Sequence, residues 1–261
     1  METGEKRLKK QLCKKQKKTP RNDTRLAAAE IPALTIDRID GLMTIEYRIR
    51  KYPMSRVRKE VQMNQRETVS EKTILGIDLG TSSVKVMLLD PQSGVLGTAA
   101  REYGVDIPTF GYAEQHPETW WAMTVEALQE AYAAVCAIGL SAQMHGLITV
   151  DANGDPVRPA MIWLDQRSQQ ELAEISQQMT FTEMKEIFHN RVFTGFLFPS
   201  LLWVKKHEPE IYAKCAHILL PKDYIRLTLT GEYATEVSDA SGMQLLDVPA
   251  RKWSDEVLEK L

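Results

Sequence analysis

The segment that most constrains the fold is Thr73-Ile74-Leu75-Gly76-Ile77-Asp78-Leu79, followed after Gly80-Thr81-Ser82 by Ser83-Val84-Lys85-Val86-Met87-Leu88-Leu89-Asp90. Two apolar, β-prone runs around a tight Gly/Thr/Ser turn predict a buried hairpin. The spacing is not GxxxxGK[ST] leading into a helix, so the turn is not a Walker loop. Two readings of it stand. In one, Asp and Ser side chains merely satisfy their own turn. In the other, successive backbone N–H groups and the hydroxyls of Thr81, Ser82 and Ser83 converge on phosphate oxygens, with Gly80 allowing close approach. Asp78, at the strand end, would then face a hydrated Mg²⁺, an ion that keeps several waters and takes only one or two carboxylates. Lys85 would add positive charge if it points back to the turn.

The net charge of −2 hides a division: residues 1–72 carry 19 Lys+Arg against 10 Asp+Glu, and residues 73–261 carry 14 against 25. The Lys-rich start, Lys6-Arg7-Leu8-Lys9-Lys10 and Lys14-Lys15-Gln16-Lys17-Lys18, has too little apolar material to pack. Residues 1–72 are therefore expected to be a basic, largely disordered extension, with weak strand-like alternation from Leu42 to Ile49. Residues 73–261 are expected to form the folded domain. The basic segment lacks the interleaved aromatics that stack bases, so nucleic acid is not the expected partner. No apolar run approaches the roughly 20 residues of a membrane span, and none follows the basic start as a secretory signal would, so the expected location is the cytoplasm. Cys13, Cys136 and Cys215 form no CxxC pattern and read as reduced thiols. The five histidines show no zinc-hydrolase spacing.

Downstream, residues 95–103 predict a third strand and Pro117 opens a helix in which Trp120, Val125 and Leu128 recur at helical spacing. An apolar run at 135–140 ends in Ser141-Ala142-Gln143-Met144-His145-Gly146, followed by a second run at 147–150. Polar side chains thus sit where a buried strand ends, the usual ligand position in open α/β sheets. Gln143 and His145 can exchange hydrogen bonds with hydroxyl groups and Met144 offers an adaptable apolar wall, although a loop histidine is often simply structural. Asn153-Gly154 predicts a type I′ hairpin. Asp165 and Arg167 either order the neighbouring pocket or cap the helix that follows. Between Ala131 and Val135 the chain passes from helix to strand with almost no connecting residues, a join that is strained or marks a deletion.

The turn residues resemble the Asp-x-Gly-Thr-(Ser/Thr)-(Ser/Thr) element of the actin-like ATPase superfold, and within it the FGGY carbohydrate kinases. The remaining matches resemble the xylulokinases of that family. They are Gly111-Tyr112-Ala113-Glu114-Gln115-His116-Pro117, Gln143-Met144-His145-Gly146, and the run from Pro159 to Arg167, with Leu164 where the family has Asn. Gly195-Phe196 to Val204, Pro221-Lys222-Asp223-Tyr224 and Ser238-Asp239-Ala240-Ser241-Gly242 continue it in order. The resemblance implies an α/β, ribonuclease H-like fold with a mixed sheet and helices on both faces. It also implies ATP and Mg²⁺ as cofactors, a ketose as substrate, and contacts to that sugar from Gln143, Met144, His145 and Asp165. The implied reaction moves the ATP γ-phosphate to a pentulose, D-xylulose giving D-xylulose 5-phosphate. Other ketose or polyol kinases of the family, and a sugar-binding lobe without activity or a gene fragment, are the alternatives.

Phosphoryl transfer also needs a carboxylate that accepts the hydroxyl proton. In the family this is an Asp in a Gly-Gly-Asp-Asn-like loop, a string absent from this sequence. No catalytic base is therefore assigned, the adenosine site is expected in a second lobe, and a separate second-lobe chain is a candidate partner.

Overall fold

The computed structural model describes residues 33–39, 42–48, 73–130 and 135–259. Strands β1 (Ala33–Ile39) and β2 (Leu42–Arg48) pair antiparallel, so the alternation read from Leu42 onward falls on a strand. The other expectations for residues 1–72, and the short join at 131–134, lie outside the described residues.

The organising element is a four-stranded sheet of order β5-β4-β3-β7, made of β3 (Ile74–Leu79), β4 (Ser83–Asp90), β5 (Gly94–Glu102) and β7 (Ala137–Ala142). The first three strands run antiparallel and β7 lies parallel to β3, giving the mixed sheet expected. Alternation decides which side faces inward, because successive side chains leave a strand on opposite faces. Leu75, Ile77, Leu79, Val84, Val86 and Leu88 are buried, whereas Asp78, Lys85 and Met87 on the opposite face are exposed.

Helix α1 (Pro117–Glu130) and a later helix, α6 (Pro221–Thr230), share the core of the buried face, through Trp120, Val125 and Leu128 on one and Tyr224, Ile225 and Leu227 on the other. Both begin with proline, whose missing N–H costs nothing in a first turn. Among the described residues the packing is one-sided. Helices on both faces are not observed there; the second face carries Asp78, Lys85 and Met87 with the small residues Ala137, Gly139 and Ser141.

A second core gathers the chain between the sheet and α6 together with the segment after α6, through Ala240, Met243, Leu245, Leu246 and Val257. It includes α2 (Gln169–Gln178), α3 (Phe181–Phe188) and α4 (Leu197–His207), and is centred on Phe188, Phe198, Leu197, Leu201 and Met161. Short strands β6 (Glu114–Gln115) and β9 (Ala160–Met161) pair antiparallel, as do β8 (Ile148–Val150) and β10 (His217–Leu219), and they stitch the two cores together. The turn at Asn153-Gly154 is not type I′. Gly154 has φ +92° but Asn153 is not left-handed, and the Asp151 carboxylate accepts from the N–H groups of Asn153 (2.7 Å) and Asp155 (3.0 Å) to make a longer loop. An Asx-type closure has replaced the two-residue turn.

Candidate active site

The parallel pairing of β3 with β7 brings two chain segments side by side. Asp78 is in register with Lys85 on one neighbour and Ser141 on the other, and the Gln143 N–H continues the ladder by donating to the Leu79 carbonyl at 2.6 Å. The 80–83 turn and the Gln143–Met144–His145 loop therefore leave the same end of adjacent strands.

The carbonyls of the turn are turned into the protein. The Gly80 carbonyl accepts from the Tyr103 hydroxyl (2.6 Å), the Thr81 carbonyl from Gln115 Nε2 (2.8 Å) and the Ser82 carbonyl from the Tyr103 N–H (3.0 Å). In a trans peptide C=O and N–H point in opposite directions, so the N–H groups of Thr81, Ser82 and Ser83 face the other way. Such a row of N–H donors is what an anion requires. Trp163 Nε1 donates to Thr81 Oγ1 at 3.0 Å, which leaves the threonine hydrogen available to a ligand. Burial raises the Tyr103 phenol well above its usual range, with the Asp78 charge adding to it, so Tyr103 stays a neutral donor next to the turn. Asp78 and Lys85 are both exposed on the open face of the sheet. Among the described residues no three His, Cys, Asp or Glu side chains come together as a metal-binding group. Asp78 is thus a lone exposed carboxylate, and one or two carboxylates with waters and phosphate oxygens are what magnesium takes.

On the other side, Gln143 is buried and its Nε2 donates to Gln115 Oε1 (2.8 Å), the same oxygen that accepts from Trp120 Nε1 (3.1 Å). Gln115 thus links the turn, the helix and the loop. Gln143 Oε1 is buried with no hydrogen-bond partner, as is His145 Nδ1. His145 sits at φ +66°, and the Gly146 N–H donates to the Met144 carbonyl at 2.9 Å, which makes a left-handed γ-turn centred on the histidine. That conformation is rare and strained, and residues held this way cluster at functional sites. The ring stacks on Phe196 with centroids 3.8 Å apart, and burial holds its pKa below the ordinary histidine range, the Gly242 backbone partly opposing. Met144 is 56% exposed beside it.

Asp165 has no exposed surface. Its carboxylate accepts from the Ala113 N–H (2.7 Å) and from the Arg167 guanidinium (2.7 to 3.0 Å), and Arg167 also pairs with Glu114 at 2.7 Å. Arg167 lies 3.7 Å over the Tyr112 ring and faces Trp203 as well. Asp165 is accordingly a buried anchor of the Tyr112–Glu114 segment, next to Gln115, with both oxygens engaged by protein. Ser168, the N-cap residue of α2, makes no side-chain capping bond, and the Asp165 carboxylate accepts from the Arg167 N–H at 3.0 Å instead.

Sequence reasoning placed the turn and loop but missed the groups that hold them: Tyr103, Trp163, Phe196 and the bridging role of Gln115. Gly195 has a structural reason as well. Its φ of +77° suits glycine, and a Cβ there would collide with the Trp163 carbonyl. The glycine therefore lets Trp163 lie against the 193–196 segment while its indole reaches the turn.

The sequence profile of the N-terminal domain of the FGGY family of carbohydrate kinases matches residues 73–261. The chain belongs to this family. It is 42% identical over 190 residues to a xylulose kinase of Escherichia coli, covering 71% of this chain and 39% of that protein. It is 39% identical over 194 residues to one of Lactococcus lactis, covering 71% and 38%. A crystal structure of a xyloylose kinase from Brucella ovis superposes with a TM-score of 0.69 at 42% identity, covering 72% of this chain and 40% of that one. The fold is that of the actin-like ATPase sugar kinases, and the chain spans about two-fifths of the length of the curated relatives it matches.

Proposed function

We propose that residues 73–261 act as the first lobe of an ATP-dependent pentulose kinase with D-xylulose as its substrate. The observation that carries this is the β3–β7 register, which sets a turn with outward N–H groups beside a loop with two unpartnered polar atoms. In this reading the N–H groups and hydroxyls of Thr81, Ser82 and Ser83, with Lys85, hold phosphate oxygens and Asp78 holds hydrated Mg²⁺. Gln143 Oε1, Met144 and His145 meet the sugar, and Asp165 holds the 113–114 segment next to Gln115, the partner of Gln143. Bound ATP and magnesium supply the phosphoryl group and the charge neutralisation that its transfer demands. ATP as donor fits work in the cytoplasm. The relatives named as xylulose kinases support the choice of sugar.

The proton acceptor and adenosine site are supplied, in this proposal, by residues that this sequence does not hold, in a second lobe. The test is D-xylulose-dependent ADP formation from MgATP by the chain alone and with the remaining lobe of the Escherichia coli relative added. Activity that requires both lobes and is lost in Asp78→Asn and in His145→Ala supports the proposal. A folded mixture without D-xylulose-dependent turnover, or activity indifferent to both substitutions, overturns it. Saturable D-xylulose binding without turnover would instead favour a sugar-binding lobe, a reading that the buried support of the loop also permits.

A further inference from the structure

Gly242 lies in the short 3₁₀ segment Ser241–Met243, distant in sequence from the β7 loop, and yet its backbone abuts the His145 ring. A Cβ built at 242 would sit 2.7 Å from His145 Cε1 and closer still to Nδ1, well inside any tolerable contact. The next contact of that Cβ, His145 Cγ at 3.7 Å, is ordinary, so the conflict is confined to the Nδ1–Cε1 side of the ring. Phe196 covers one face of the same ring, and the strained backbone at φ +66° fixes where the side chain starts. The imidazole is therefore bounded on an edge, on a face and at its root. Nδ1, buried against the Gly242 backbone, is the ring nitrogen on that side, and Nε2 is not among the three ring atoms nearest to the built Cβ.

We infer that Gly242 is a positioning residue, whose missing side chain is the space that the His145 ring occupies and which thereby aims Nε2 at the sugar. The aiming rests on the reading of His145 as a sugar contact; the steric relation does not. Any side chain at 242 must push the ring away, against Phe196 or out of the loop, because the near atoms belong to a short, stacked side chain with little room to give.

The experiment is a double-mutant cycle on the full chain, read by urea unfolding, with Gly242→Ala, His145→Ala and the pair. Overpacking a filled site costs about 1–3 kcal/mol and urea slopes are about 1–3 kcal/mol per M, so Gly242→Ala should lower the midpoint by about 1 M. In the His145→Ala background the same substitution should leave the midpoint unchanged, even if Gly242→Ala alone is too unstable to purify. Gly104→Ala, whose Cβ meets nothing within 4 Å, is the control for a glycine change as such. An equal fall in both backgrounds would overturn the inference, since the strain would then lie in the backbone. A second arm follows the His145 Cε1–H resonance during titration with D-xylulose. Wild type should respond, and Gly242→Ala should bind about tenfold more weakly or less, as expected for one lost buried hydrogen bond. Coupling in the cycle with no D-xylulose response in wild type would sink the sugar reading while leaving the steric one intact.

Discussion

The 80–83 turn and the 143–145 loop stand at the ends of neighbouring parallel strands and are held by different means. The turn is fixed through its main chain: three successive carbonyls accept bonds from Tyr103 and Gln115, while Asp78 and Lys85 remain in solvent. The loop is fixed through buried side chains, with Gln143 bonded to Gln115 and His145 wedged against Phe196, while Asp165 and Arg167 hold the 113–114 segment that precedes Gln115. A phosphate site can be read out by N–H groups and tolerate exposed charges, because its ligand carries the charge. A site for neutral hydroxyls has to rely on oriented dipoles, and orientation requires burial. The difference teaches that substitutions on the two sides should report differently, on stability for one and on ligand handling for the other.

The largest contrast comes from Arg167→Ala. It strips Asp165 of its ion-pair partner in a site where the arginine side chain is 2% exposed, while Glu114 keeps Arg158 at 2.7 Å, and breaking a buried pair costs about 3–5 kcal/mol. Chemical denaturation should show that loss, and a change below about 1 kcal/mol would mean that the sugar side of the site does not depend on its buried charges. An intermediate effect is expected from pH. His145 is held below its ordinary value by burial, so the unfolded chain binds the proton more readily. Stability should therefore fall as the pH drops below the ordinary histidine value of 6.5 toward the lower folded value. His145→Ala should remove that part of the slope, and identical pH profiles for variant and wild type would contradict the burial argument. The smallest effect on stability belongs to the turn. Asp78→Asn and Lys85→Ala should each alter it by no more than about 0.5 kcal/mol, as exposed substitutions generally do. If either unfolds the domain, the turn is held by those charges and the contrast collapses.

The elements and the two ligand segments were legible in the sequence because each carries a local signal. The alternation in β3 and β4, Pro117 at a helix start, and polar residues after an apolar run all act within a few positions. What escaped was non-local. Tyr103 was only the end of a third strand until its hydroxyl was seen on Gly80, and Gln115 was one polar residue in a motif until four groups were found on its amide. Asp165 was grouped with the sugar contacts because a carboxylate next to an arginine looks alike whether it faces a ligand or a core. Only its burial tells the two apart. The Asn-Gly pair misled for a related reason: its turn preference yielded to the Asp151 carboxylate, which captured the neighbouring N–H groups first.

The β3–β7 ladder has a consequence for how such a lobe can vary. A strand's faces alternate residue by residue, so inserting or deleting one residue in the Ala137–Ala142 strand would exchange its inward and outward sides and carry Gln143 off Gln115. Length changes in this family are thus expected where the ladder is not involved, such as the 151–155 loop, where Asp151 closes a turn whose size is free. The strand itself works as a ruler: it fixes the spacing between the two ligand segments, and a graft of either segment onto another scaffold would have to bring the pair of strands with it.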